Sequence, residues 1–170
     1  MQKVSFRKVE TTVSLPKPTD EIIMHFDMTN LLPDGQLLAL NTKLGTIALL
    51  TCQTETPHPI LLSEQQFSVN ELRVLLPLLQ LHPHYCPYEV LLASFYVGNT
   101  DEATVERFRL RLQEAQFAGV WDYEMRPARN ILSRIRFKLR DLNIEISSIL
   151  ETGYLLIYAP PRQPREIAKI

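Results

Sequence analysis

The segment from Arg126 to Arg140 leaves this chain few folding choices. It holds six basic residues and no acidic one. At roughly 100° per residue, Ala128, Leu132, Ile135 and Leu139 fall on one side of a helix. Arg126, Arg129, Asn130, Ser133, Phe137 and Arg140 fall on the other, with Arg134 at the edge. The first face needs a hydrophobic core supplied by the rest of the chain. The second suits an anionic partner, and its Asn and Ser can hydrogen-bond as well as attract. A helix lying in a nucleic-acid groove has this layout, and so does a plain solvated face.

Global charge does not decide between them. The 170 residues carry 18 Lys+Arg against 19 Asp+Glu, so attraction to an anion must come from local segregation of charge. Hydrophobic residues make up 45% and charged residues 22%, as in one globular domain with a sizeable core. The N-terminus, Met1-Gln-Lys-Val-Ser-Phe-Arg-Lys8, lacks the apolar core of a signal peptide, and no apolar run approaches a membrane span. A cytoplasmic protein without a membrane partner is expected. Cys52 and Cys86 make neither a disulfide framework nor a metal cluster.

The chain reads in two parts. Residues 2 to 15 alternate loosely and favour a strand that Pro16 and Pro18 end. Ile22, Met24, Phe26 and Met28 sit at period two. Leu31 to Leu38, with Pro33-Asp-Gly35 at its centre, predicts a hairpin. Two further apolar runs between Leu37 and Cys52 break at Lys43-Leu-Gly45, and Ile60 to Leu62 is one more short strand. Residues 1–62 are thus expected to form an antiparallel sheet, packed with the helical part of the chain as one unit.

At Phe67 the period changes. Ser68-Val-Asn-Glu71 is a capping box, and Leu72, Leu75, Leu76 and Leu79 follow at helical spacing, with Pro77 expected to kink the helix. A second helix starts with Pro87 at its first position and ends near Gly98. A third runs from Thr100 or Asp101 to about Gln116, as core padding or as a dimer or partner face. Gly119 and Trp121-Asp-Tyr-Glu124 connect it to the basic helix, with Pro127 in that helix's first turn and Trp121 and Tyr123 as packing residues. After Asn143 the period returns to two, Thr152-Gly153 forms a turn, and Tyr154 to Tyr158 is the returning strand. Residues 159–170 form a basic tail whose Arg162 and Arg165 are solvated or add phosphate contacts.

This order and several of its segments resemble the DNA-binding domain of OmpR/PhoB-type transcriptional regulators. Phe67-Ser-Val-Asn-Glu71-Leu-Arg-Val-Leu75 resembles the start of that family's first helix. Leu81-His-Pro83 resembles the stretch before its second helix. Arg126 with Leu132-Ser-Arg-Ile-Arg-Phe-Lys-Leu139 is similar to its recognition helix, and Ile146 to Leu156, through Gly153-Tyr154, to its wing. The resemblance implies an α+β fold: an N-terminal antiparallel β-sheet, then a winged helix-turn-helix over 63–158 with a C-terminal β-hairpin wing and a helical insertion at 97–125.

It also implies a sequence-specific double-stranded DNA binder, a bacterial transcription regulator, with no enzyme activity and no cofactor. Major-groove contacts would come from Arg126, Asn130, Ile131, Ser133 and Arg134, and phosphate contacts from Lys138 and Arg140. Arg136 matches an arginine that is more often structural, and Arg129 joins the set on helix geometry alone.

Two departures, together with the near-zero net charge, favour a second reading, a degenerate winged helix that binds protein. Leu150 and Leu155 stand where the family's wing presents arginines, and Glu151 where it has glycine. Tyr96 to Met125 replace a much shorter connection, the one through which the family contacts RNA polymerase. The chain is expected to lack a receiver domain, so aspartate phosphorylation is not the implied control.

Other chemistry has little sequence support. His82-Pro-His-Tyr-Cys86 is the one His/Cys cluster, and it lacks further ligands at metal-binding spacing. Cys86 as a nucleophile has no cue beyond nearby His84, and the five glycines form no phosphate loop.

Overall fold

A computed structural model describes residues 23–55 and 57–161. The expected strand at 2–15 and the arginines of the tail, Arg162 and Arg165, lie outside the described residues. The order is β1 (Ile23–Phe26), β2 (Gln36–Asn41), β3 (Thr46–Thr51), β4 (Ile60–Gln66), α1 (Val69–Leu81), β5 (Cys86–Pro87), α2 (Tyr88–Val97), α3 (Glu102–Phe117), α4 (Trp121–Leu139), a 3-10 turn (Arg140–Leu142), β6 (Ile144–Ile149) and β7 (Gly153–Tyr158). The fold is α+β, with a four-stranded antiparallel sheet, four helices and a small second sheet.

Strands β1 to β4 pair in sequence order. Leu38 lies opposite Leu49, and Leu40 opposite Ile47, and all four are buried on one face with Phe26. Alternation along each strand sends these side chains to the same side. The β2–β3 turn is built by Asn41, whose side-chain oxygen accepts from the Lys43 and Leu44 amides at 3.1 and 3.0 Å. Gly45 completes it at φ 72°, beside the Phe67 carbonyl, where a β-carbon would have no room.

The expected hairpin at 31–38 differs in detail. Leu31 and Leu32 are not strand residues. Their amides donate to the Met28 carbonyl at 2.9 and 3.0 Å, and the resulting turn folds both side chains into the core. β4 also runs four residues past Leu62, to Gln66, because it borders β3 along its whole length.

In α1 the capping box forms. The Ser68 hydroxyl accepts from the Glu71 amide at 3.3 Å, and the Glu71 carboxylate accepts from the Ser68 amide at 2.8 Å. The helix continues through Pro77 to Leu81. Pro87 is the N-cap of α2 and not its first helical residue, because Cys86 and Pro87 are held extended by pairing with β7. That pairing closes the second sheet, in the order β5-β7-β6. Gly153 is not a turn residue. It lies in β7 with its α-carbon against the Cys86 backbone, and a β-carbon would collide with the Cys86 carbonyl oxygen. The turn falls on Leu150 to Thr152, with Glu151 at φ 54°.

α4 starts earlier than its basic stretch. Gly119, at φ 73°, reverses the chain after α3, and Trp121 already opens the next helix. Trp121 to Glu124 are therefore helical and not a connector. Asp122 and Glu124 suit the positive end of a helix dipole. Pro127 sits in the interior of α4 at an exposed position, where water can satisfy a carbonyl freed from the ladder.

One continuous core joins the first sheet to the helices. Leu38, Leu40 and Ile47 share it with Leu75 and Leu78 of α1, Leu91 and Leu92 of α2, and Met125, Ala128, Leu132, Ile135 and Leu139 of α4. The four apolar positions expected on the inner side of the basic helix are all buried.

Candidate nucleic-acid interface

The nine candidate residues, eight on α4 and Arg140 in the 3-10 turn that follows it, divide into two groups. Arg126, Arg129, Asn130, Ser133, Arg134 and Arg140 are exposed, together with Phe137. They lie on the side of the helix away from Ala128, Leu132 and Ile135, so the core burial that holds the helix also aims them outward. α3 does not cover this face. Its ion pair with α4 joins Arg111 to Glu124, in the first turn and away from the basic stretch.

Ile131, Arg136 and Lys138 are committed to the protein. Ile131 packs against the core. The Arg136 guanidinium donates to the Ile146 carbonyl at 3.3 Å and lies over the Tyr154 ring, which ties α4 to the C-terminal hairpin. Lys138 lies over the Phe67 ring and donates to the Gln66 carbonyl and the Glu71 carboxylate, both at 2.7 Å. Burial opposes ionisation of Glu71. The hydrogen bonds from Lys138 and the Ser68 amide, with the ammonium charge, outweigh it and hold the carboxyl below its ordinary range.

Within the exposed group, two residues carry internal partners. Arg129 pairs with Asp122 at 2.9 Å and lies over the Trp121 ring, whose edge meets Tyr88. The Ser133 hydroxyl donates back to the Arg129 carbonyl at 3.1 Å, leaving its oxygen as an acceptor. Arg126, Asn130, Arg134 and Arg140 have no hydrogen bond or ion pair to another side chain among the described residues.

Trp121 packs as expected, but Tyr123 does not. It is exposed, one turn before Arg126, whose guanidinium lies over its ring. A helix counted from the basic run begins at Arg126 and leaves Tyr123 in the connector. The acidic pair Asp122 and Glu124, a helix-start signal, would have extended the helix to include it.

The C-terminal hairpin beside α4 is different in charge. From Ile144 to Tyr158 it contains Glu145 and Glu151 and no Lys or Arg. Its tip presents Leu150, 87% exposed, and Thr152, whose hydroxyl donates to the Leu150 carbonyl.

The His/Cys cluster does not converge. The His82 ring contacts the Thr29 carbonyl, and Cys86 is fully buried with its thiol pushed far up, hence protonated. Among the described residues, no helix is long and apolar enough to cross a membrane. Compared with protein-family models, curated proteins and solved structures, the chain finds no match.

Proposed function

We propose that the protein binds double-stranded DNA sequence-specifically, as a bacterial transcription regulator of winged helix-turn-helix type, with α4 in the major groove. The observation that carries this reading is the open outer face of α4. Over a rigid helix of 19 residues it sets Arg126, Asn130, Ser133 and Arg134 in reach of one surface, with Phe137 beyond them. Arginine suits guanine and asparagine suits adenine through paired hydrogen bonds, while Phe137 suits a thymine methyl. Arg140 reaches phosphate, and Arg129 does so by exchanging Asp122 for a phosphate oxygen. Lys138 takes no part; it holds α4 against the capping box of α1. The element order, a four-stranded sheet, helices, and a hairpin joined to a strand between α1 and α2, also supports the OmpR/PhoB-like reading.

A second reading is a winged helix whose partner is protein. The hairpin without cations favours it, since Glu145 and Glu151 repel phosphate. One experiment separates the two. Bound sequences are selected from a random duplex pool, and affinity for the best site is then measured against salt. DNA reading predicts a consensus and a slope of about −0.9 per phosphate contact. Arg134→Ala should cost about 1–3 kcal/mol and relax one base position. No enriched sequence and no binding at low salt would leave the protein-binding reading.

A further inference from the structure

The outer side of α3 carries a surface that is complementary to itself. Ala103, Leu110 and Phe117 are seven residues apart and line the side of α3 opposite its buried Phe108, Leu112 and Ala115. Leu110 is 51% exposed and Phe117 98%. Beside this stripe run Arg107 and Glu114 on one flank, and Glu106 and Gln113 on the other, all exposed. Arg107 and Glu114 have no ion pair within the chain among the described residues, whereas Arg109 is paired with Glu89 and Glu106, and Arg111 with Glu124.

We infer that α3 is a dimerisation helix, and that its partner is the α3 of a second copy packed antiparallel about a two-fold axis at Leu110. In that arrangement Leu110 meets its own counterpart. Ala103, seven residues before the axis, faces Phe117, seven after it, so a small side chain leaves room for a ring. Arg107, three residues before the axis, faces Glu114, four after it, on the same flank. A two-fold axis makes every such contact twice. Glu106 faces Gln113 in the same way, so this pairing sets no like charges directly opposite each other. Parallel pairing of the same two helices would set Phe117 against Phe117 and Ala103 against Ala103, losing that fit, and would bring Arg107 beside Glu106 and not Glu114. The apolar residue every seventh position and flanking charges that choose orientation are features of paired helices generally.

The 16 residues of α3 span about 24 Å, so the interface lies at the small end of specific contacts. A dissociation constant on the order of tens of micromolar is expected. The pairing itself does not depend on DNA reading. Its corollary does rest on the proposed function: a dimer would carry two α4 helices related by the same axis, and its selected site would be an inverted repeat.

The test is sedimentation equilibrium of the full chain without DNA, up to several hundred micromolar. Wild type should show monomer and dimer, and Leu110→Glu monomer alone. Arg107→Glu and Glu114→Arg should each weaken the dimer by about fivefold to tenfold. The two variants mixed together, and the double variant carrying both changes, should recover it. Circular dichroism checks that each variant is folded, and the charge exchange decides the matter even if Leu110→Glu is not. A wild type that stays monomeric, or charge exchange without recovery, overturns the inference. A monomer that still enriches a consensus would overturn only the dimer and leave the proposed function standing.

Discussion

The Nζ of Lys138 lies 2.7 Å from Glu71 Oε2, so the last turn of the basic helix is fastened to the capping residue that starts α1. Glu71 is buried and serves two partners at once, the Ser68 amide and the Lys138 ammonium. Removing Lys138 leaves a carboxylate with half its support. Lys138→Ala should destabilise the fold by about 1–3 kcal/mol in urea unfolding, without changing contacts on the outer face of α4.

The same pair gives stability a pH dependence. Glu71 is depressed in the folded state relative to its ordinary value of 4.5. Its contribution is complete above that value and is lost as pH falls through the lower, folded one. Melting temperatures of wild type and Glu71→Gln should therefore converge on acidification below about pH 4.5 and separate above it. Parallel curves from pH 7 to pH 3 would show that the pair contributes nothing.

Ser94 supplies what Pro77 withholds. A proline at 77 gives the Arg73 carbonyl no helical donor, and the buried Ser94 hydroxyl of α2 donates to it at 2.5 Å. Ser94→Ala should cost about 1–3 kcal/mol. Pro77→Ala returns an amide to that carbonyl, so the cost of Ser94→Ala should shrink in the Pro77→Ala background. Strict additivity in a double-mutant cycle would argue against this account.

Glu151 is a negative side chain in a left-handed conformation at the tip of the hairpin. Glu151→Gly should stabilise the protein by about 1 kcal/mol, because glycine adopts that conformation without steric cost. If the hairpin flanks DNA, the same change should also tighten binding at low salt, and the gain should fade as salt rises. A gain in stability with no change in affinity would place the hairpin tip away from phosphate.

Much of the fold is legible in the sequence for a clear reason. The positions on α4 that became core, Ala128, Leu132, Ile135 and Leu139, carry a strong helical period. The Ser68/Glu71 box marks its helix by local hydrogen bonds alone. Other features answer to longer-range contacts. Pro77 is tolerated because of a hydroxyl 17 positions away, at Ser94. Gly153 resembles a turn glycine but answers to the Cys86 backbone. Lys138 resembles a phosphate contact, and only the folded chain brings Glu71 and Gln66 to it.

The fit of Gly153 against Cys86 bears on how the chain reaches this fold. β5 pairs only with β7 and cannot be completed until residue 153 and its neighbours have left the ribosome. Arg136 likewise waits for Ile146 and Tyr154 before α4 is braced against the hairpin. The β5–β7 closure spans a long stretch of chain, which makes it slow relative to helix formation. The C-terminal hairpin is thus a late clasp: a nascent chain lacking it holds helices whose apolar faces are not yet fully covered.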